Sequence, residues 1–380
     1  MKRYSYLIIV LALWACNRNQ SPNNAHFVYT MNVSHVVDSI SFDSIVEGID
    51  YIQLESHPQA IIGEISDLIV DNGNFYVISD GVYCFNQAGK FKYAINQRGK
   101  ERSEFIECRA VSVSEKFVYI YDGASMKILA FDKDNGKYIK SKKIEDSPYR
   151  IYVNGDDMIL DYADFNGRDE NSCRFSVKNF NTDAIKYNCM NAERHKALIE
   201  KQLSRSSTDV LFSDYYHCNT YKITADSCQA YFSLDIPQQF KYSKSELDEM
   251  IGTRVLSLKN EENDGKIIGL CNVHETNELI YGECKQSNQF VHILYNKRLG
   301  SGLAYNSVIV SSGQIAPISF FASDAGHFYS IMSASEIDLI KFVQGEDKLK
   351  RNQELSKRNL QTLLDCEPES NPIIIKYRLR

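Results

Sequence analysis

From Phe27 onward, apolar positions come in short runs of Tyr, Phe, Ile and Val, and Gly, Asn and Asp separate the runs. Such runs suit half-buried sheet surfaces and predict strands. One strand-and-turn unit recurs without being copied. Residues 75–81 read Phe-Tyr-Val-Ile-Ser-Asp-Gly, and 42 positions later residues 117–123 read Phe-Val-Tyr-Ile-Tyr-Asp-Gly. A further strand follows each copy: Val82-Tyr83-Cys84-Phe85 before Gly89-Lys90, and Lys127-Ile128-Leu129-Ala130-Phe131 before Gly136-Lys137. Asp71-Asn72-Gly73-Asn74 precedes the first copy, and Asn-Gly favours a tight hairpin because both residues tolerate positive φ. Four short strands with tight turns at this period describe one blade of a β-propeller.

Six blade-like groups follow along the chain: Ile61 to Gln97, Cys108 to Ile144, Tyr149 to Met190, Val210 to Ile236, Ile267 to Val310, and a last group from Pro317. Helical spacing is confined to four short stretches, Asn191–Leu203, Ser243–Met250, Ser333–Val343 and Gln353–Leu364, with Ser245 and Asp248 in capping-box-like positions in the second. The strand Ile373-Ile374-Ile375-Lys376-Tyr377 comes so late that it must pair with something already built. In a propeller it joins the closing blade and removes the sheet edge, so its expected partner is an N-terminal strand, either Phe27–Met31 or Tyr51–Leu54. The expected fold is therefore all-β: one six-bladed β-propeller over residues 27–380, with a few short inserted helices, closed by strands from both termini. The 24 Tyr and 19 Phe would fill the wedges between blades.

The first residues read differently. Lys2 and Arg3 precede the apolar run Leu7–Trp14 and then Ala15-Cys16, the pattern of a secretory leader over residues 1–15. The run is too short to span a bilayer as a helix, which takes about 20 residues. Leu13-Trp14-Ala15-Cys16 resembles the bacterial lipobox, although Trp14 is bulkier than that pattern prefers. The resemblance implies that Cys16 is acylated and becomes the new N-terminus; the alternative is an ordinary leader cut with Cys16 incidental. Residues 16–26 are polar and unpatterned and read as a flexible tether. Loss of residues 1–15 leaves 365 residues, no Trp, and 41 basic against 49 acidic side chains, a net charge of −8. That excess argues against nucleic acid and anionic membrane as partners, so the only membrane contact expected is through the lipid.

Nine Cys remain beyond Cys16, and none forms a Cys-x-x-Cys pair. An odd number in an oxidising compartment leaves at least one thiol free or paired between chains. Cys173 and Cys189 flank two runs joined by Asn179-Phe180-Asn181-Thr182-Asp183, and a hairpin centred near Asn181 would bring them almost opposite as a disulfide. The alternative is two unpaired thiols.

Several stretches resemble the six-bladed β-propeller lipoproteins that Gram-negative gut bacteria encode, relatives of the NHL-repeat propellers. They are Tyr51-Ile52-Gln53-Leu54-Glu55, Asp80-Gly81 with Phe85 and Gly89-Lys90-Phe91, Leu211-Phe212-Ser213-Asp214 with Thr220-Tyr221-Lys222-Ile223, Glu275-Thr276-Asn277-Glu278 with Leu294-Tyr295-Asn296-Lys297, and Asn371-Pro372-Ile373-Ile374-Ile375-Lys376-Tyr377. These are turn and strand signatures, so the resemblance implies a fold and an envelope location but no activity. Where such relatives carry a Gly-Pro-Gly-Glu-like turn, this chain has Gly99-Lys100-Glu101-Arg102-Ser103-Glu104-Phe105. Residues 17–21 lack the acidic run that marks surface export in such bacteria. By that resemblance the protein is expected to be anchored to the outer membrane and to face the periplasm. Asp38-Ser39-Ile40 and Asp43-Ser44-Ile45 also resemble the short O-glycosylation site of such bacteria, at a length where chance matches are common.

Motifs for chemistry are few. Asp132-Lys133-Asp134-Asn135-Gly136 is not a calcium loop, because Gly falls at the fifth position and Lys143 at the twelfth. The eight His (His26, His35, His57, His195, His217, His274, His292, His327) include no two spaced two or four apart, so no metal or other cofactor is expected; only His217, His274 and His327 could converge from different blades. No Gly-x-Ser-x-Gly occurs. The Asp-Gly pairs at 80–81 and 122–123 recur at equivalent blade positions, which points to a turn requirement. Asp214-Tyr215-Tyr216-His217 mixes aromatic and polar groups as sugar sites do and is the candidate ligand loop. Two functions from different classes remain: a non-enzymatic module binding a protein partner or glycan, or a periplasmic hydrolase or lyase whose site is assembled from several blades.

Overall fold

The computed structural model of the chain describes residues 26–163, 172–191, 201–206, 209–252, 265–286, 289–309, 319–345 and 356–380. The leader, Cys16 and nearly all of the tether lie outside those residues. The N-terminal part forms β1 (Tyr29–Asn32), β2 (Val37–Ser41), the single-turn helix α1 (Phe42–Ile45) and β3 (Val46–Gln53). Blade one follows as β4 (Asp67–Asp71), β5 (Asn74–Ile78), β6 (Val82–Phe85) and β7 (Phe91–Ile95). Blade two is β8 (Ala110–Val113), β9 (Phe117–Asp122), β10 (Lys127–Asp132) and β11 (Tyr138–Lys143). Blade three is β12 (Arg150–Asn154), β13 (Asp157–Asp161), β14 (Cys173–Asn179) and β15 (Ile185–Asn191). Blade four is β16 (Leu203–Ser206), β17 (Asp209–Asp214), β18 (Asn219–Ile223) and β19 (Cys228–Asp235), and the helix α2 (Lys244–Gly252) comes after it. Blade five is β20 (Ile267–Glu275), β21 (Leu279–Gln286), β22 (Gln289–Asn296) and β23 (Ser301–Ile309). Blade six begins with β24 (Ala322–Ser323) and β25 (Phe328–Met332), continues through α3 (Ala334–Gln344) and α4 (Lys357–Asp365), and ends with β26 (Ile373–Leu379).

Each blade has four antiparallel strands with the first innermost, and the six sheets form a six-bladed β-propeller. The hairpin turns follow the local chemistry. Asn72 and Gly73 take φ of 47° and 74°, so the Asn-Gly turn closes β4 on β5 in the left-handed backbone that these two residues tolerate best. Apolar faces of neighbouring blades merge into wedge-shaped cores; Tyr76, Ile78 and Cys84 of blade one share one with Val118, Ile120 and Leu129 of blade two.

Closure is made in blade six. β26 pairs antiparallel with β25 on one side and with β3 on the other, from Ile373 opposite Gln53 to Leu379 opposite Val46. Of the two N-terminal partners considered, Tyr51–Leu54 supplies the strand. Phe27–Met31 takes another place: β1 adds to blade four as a fifth strand, parallel to β19, and β2 adds to blade five parallel to β23. The N-terminal segment thus runs along the outer edges of blades four and five before closing blade six, covering two strand edges that would otherwise be open. Asn359 of α4 secures the closing strand, donating to the Ile49 carbonyl at 2.7 Å while its side-chain oxygen accepts from the Tyr51 N–H at 3.2 Å. Asn371 bridges the last connection, donating to the carbonyls of Glu55 (2.8 Å) and Ala60 (2.7 Å). Gly89 (φ 76°) lets blade one meet this seam, since a Cβ there would stand 2.1 Å from the Gln53 carbonyl oxygen.

Four expectations need correction. Blade four starts at Leu203 rather than Val210, because the short innermost strand β16 lies outside the apolar pattern. Asn191 and Leu203, the ends of the expected helix 191–203, are strand residues, and 192–200 lie outside the described residues. The capping box of α2 is made by Ser243 and Glu246 instead of Ser245 and Asp248. Cys173 and Cys189 are free thiols. Register places Cys173 opposite Asn191 and Cys189 opposite Phe175, a diagonal pair at about 7–8 Å, beyond the usual Cα separation of a disulfide.

Ile375 is fully buried in the seam between β25 and β3. Ile375→Ala is expected to destabilise the fold by about 2–5 kcal/mol, read as a lower urea midpoint with little change in slope. An unchanged midpoint would show that closure is not where stability concentrates.

Candidate functional site

The topology sorts the loops. The strand ends joined between the first and second, and the third and fourth, strands of each blade lie on one face, where the turns are tight; the strand ends joined by the remaining connections, including all the long ones, lie on the other. On the long-loop face each of blades one to four ends its second strand at or near an Asp: Asp80, Asp122, Asp161 and Asp214. Asp122 shows what the position does. Its carboxylate accepts from the N–H groups of Ile106 (3.0 Å), Glu107 (3.1 Å) and Ser125 (3.3 Å) and from the Ser125 hydroxyl. Burial alone would raise this carboxyl, and those hydrogen bonds outweigh it and lower it. Asp161 accepts from the Ala163 N–H at 3.0 Å and pairs with buried Arg174 at 3.4 Å. The repeated Asp is a turn and loop anchor, as its recurrence implies.

The same position explains the candidate loop Asp214-Tyr215-Tyr216-His217. Both carboxylate oxygens of Asp214 lie 3.0 Å from His217 Nδ1. Tyr216 is buried with Ile268 and packs near Tyr242 and Leu247 of the α2 region. The Tyr215 ring crosses Gly269, where a Cβ would lie 2.5 Å from it, and its ring centroid is 5.3 Å from that of Tyr216. Both rings therefore join blade four to blade five, and His217 is the part of the loop left substantially exposed. His217 and His327 do not converge with His274. His327 bonds Asp324 on the tight-turn face, whereas His217 is on the long-loop face. Among the described residues no group of three or more His, Cys, Asp or Glu is arranged to hold a metal ion.

What the six innermost strands enclose is a central cavity of about 470 Å³, lined from every blade. Toward its long-loop end stand Asp67, which opens β4, Arg150, which opens β12, Lys201 and Phe321; Tyr152 lies midway along β12, and Arg205, one residue from the β16–β17 turn, reaches back over it. The Arg205 guanidinium lies 4.8 Å from the Tyr152 ring centre, and Lys201 Nζ lies 5.5 Å from that of Phe321. Burial raises the Asp67 carboxyl, against the opposing pull of Arg205, and burial lowers Arg205. Half-buried Cys108 also lines the cavity, its thiol pushed up to about 12 by desolvation.

Blade five presents the most irregular wall. β20 breaks register with β21 on both sides of Cys271, Gly269 has φ 89°, and Asn272 has φ 49°. These bulges turn Asn272 and His274 toward the channel. Asn272 joins a buried chain of polar groups: it meets His274 Nε2 at 3.0 Å and donates to Glu283 at 2.8 Å, and Glu283 accepts from the Tyr281 hydroxyl at 2.9 Å. Tyr281 in turn lies 2.8 Å from His292 Nδ1. Burial holds His274 down at about 4, so it is neutral at physiological pH. His274 was visible in the sequence as one of three scattered His; Arg150, Arg205 and Asp67 carried no signal, since only closure of the ring brings them together.

On the tight-turn face, Glu275 pins blade four to blade five. Its carboxylate, 7% exposed, accepts from Lys222 and Lys297, each at 2.6 Å, and from the Tyr231 hydroxyl. Burial would raise this carboxyl, yet the three donors outweigh it and hold it at about 2.

Fold and cavity together define a six-bladed β-propeller with a polar central channel. The chain belongs to the family described as a domain of unknown function, DUF4934, whose model matches residues 28–378. It is similar to the crystal structure of a Bacteroides fragilis NCTC 9343 protein provisionally named an exported protein, at 13% identity and a TM-score of 0.72, over 92% of this chain and 99% of that one. A member of the DUF4221 family from Bacteroides vulgatus ATCC 8482 matches at 7% identity and a TM-score of 0.47, over 88% of this chain and 98% of that one. None of the curated proteins compared with the chain matches it. Among the described residues no helix is long and apolar enough to cross a membrane.

Glu275 gives a pH prediction. The folded carboxyl sits at about 2 against 4.5 for the free group, so its contribution of roughly 3 kcal/mol is complete above pH 4.5 and is lost as pH falls toward 2. Glu275→Gln should cost about 3 kcal/mol at neutral pH and flatten the acid limb of the stability profile. A variant whose stability parallels the parent from neutral to acid pH would contradict this assignment.

Proposed function

We propose that this chain is a non-enzymatic binding or scaffolding module of the cell envelope that recognises a glycan or a protein partner at the long-loop mouth of its central channel. The observation that carries this reading is the cavity of about 470 Å³, within the usual range for ligand sites, whose wall holds the buried Arg205 Nε with no hydrogen-bond partner among the described residues. The leader pattern over residues 1–15 and the name of the Bacteroides fragilis neighbour support an exported protein. Cys16 would carry the lipid that holds it to the outer membrane, facing the periplasm; Cys16→Ala should then leave the membrane fraction. The tyrosines of the Asp214–His217 loop support a packing role, and His217 would serve at most as a rim contact.

A hydrolase or lyase has one observation in its favour, that Asp67 and His274 line the same cavity. The Cys108 thiol on the same cavity wall, held protonated by desolvation, would be a poor nucleophile at neutral pH. Recognition therefore has the better support.

Trp14 is the only Trp, so removing residues 1–15, or Trp14→Phe in the full chain, leaves a Trp-free background. Phe321→Trp then places a single fluorophore at the channel mouth. Screening envelope glycans and periplasmic proteins against this reporter should find ligands that shift its emission. Ligands that bind with no shift, and without competition from any that do shift it, would place recognition elsewhere.

A further inference from the structure

The charges at the long-loop end of the channel do not balance. Arg150 and Arg205 have no carboxylate within ion-pairing distance among the described residues; Asp67 acts on both through space, and Asp161, opposite Arg150 in the sheet, acts on Arg150. Arg205 Nε is buried and has no hydrogen-bond partner. A buried donor left unpaired is costly, the more so when it belongs to a cation. Lys201 adds a third positive charge. The other charged groups of the cavity are largely satisfied. Arg109 is held by Glu107 at 2.8 Å. Toward the tight-turn end Asp71 pairs with Lys133 at 2.5 Å, and Asp157 and Asp226 share Lys186 at 3.2 Å; Asp209, opposite Ser206 in the same hairpin as Arg205, has contacts of its own. Arg150, Arg205 and Lys201 thus face Asp67, whose negative charge burial weakens, and Arg150 also faces Asp161, which Arg174 already pairs.

Guanidinium groups present planar forks that match the oxygens of a carboxylate or phosphate. Tyr152 beneath Arg205 and Phe321 beside Lys201 supply apolar surface for the body of a ligand next to its charged group. Water could satisfy one donor but would leave the net positive charge in place. We propose that the basic end of the central channel, formed by Arg150, Arg205 and Lys201 beside Tyr152 and Phe321, binds the carboxylate or phosphate group of a small ligand. This rests on the recognition reading above and narrows it to an anionic ligand.

The test is calorimetric titration at constant ionic strength with sodium glucuronate, inorganic phosphate and neutral glucose. At least one anion should bind and glucose should not, and the tighter anion identifies whether carboxylate or phosphate is the preferred group. Arg150→Gln and Arg205→Met should each weaken binding by roughly tenfold or more. Asp67→Asn should strengthen it, a gain that misfolding cannot mimic, and Arg205→Lys, which keeps the charge, should retain more affinity than Arg205→Met. Failure of both anions to bind would overturn the proposal, as would equal binding by arginine variants with parental circular dichroism and melting. Glucose binding as tightly as glucuronate while shifting the Phe321→Trp emission would overturn the anion preference and leave channel recognition standing. Anion binding with that emission silent would overturn the location.

Discussion

Everything in this molecule depends on the pairing of β26 with β3. Six wedge-shaped sheets can surround an axis only if the ring is closed, and here the closing hydrogen bonds join residues 46–53 to residues 373–379. Ile373, Ile374, Ile375 and Tyr377 are fully buried in that seam, and two asparagines, Asn359 and Asn371, satisfy the backbone groups around it. The same constraint forces the six innermost strands to face one another across a channel. The N-terminal segment reaches the seam by running along blades four and five as parallel fifth strands, so one stretch of chain both shields strand edges and completes the ring.

The two faces of the ring are finished differently. On the tight-turn face, charges are spent in pairs that bind blade to blade, such as Lys133 with Asp71 and Glu275 with Lys222 and Lys297. On the long-loop face, recurrent aspartates hold the turns, while in the channel Arg150 and Arg205 have no ion-pair partners among the described residues. A structure that elsewhere pairs its buried charges so consistently leaves these open among the described residues, the arrangement on which the proposed anion site rests. The bulged β20, with Asn272 in a left-handed conformation, lies on the wall of the same channel, as irregular backbone at binding sites often does.

The sequence made much of the fold legible, for identifiable reasons. Asn72-Gly73 carries its hairpin in the residue types themselves, and Ile373–Tyr377 is too apolar and too late to stay unpaired. β16 is not legible because Leu203-Ser204-Arg205-Ser206, whose first three residues line a polar channel, lacks the apolar pattern of a strand. β1 and β2 gave no hint of their blades, since a parallel edge strand pairs with residues roughly two hundred positions or more away and needs no local turn. The site was the least legible part. Asp214-Tyr215-Tyr216-His217 has the composition of a sugar loop, yet its rings are consumed in packing against Gly269 and Ile268. Asp67, Arg150 and Arg205 look like ordinary polar residues at strand ends until the ring brings them together.

The most direct measurement is a crystal structure of the chain grown with the tighter-binding of glucuronate and phosphate, with the ligand located in difference density. The account predicts one ligand at the long-loop end of the channel, its anionic oxygens within hydrogen-bond distance of Arg205 and Arg150. A ligand seated on the Asp214–His217 loop or on the tight-turn face, with the channel holding only water, would contradict it.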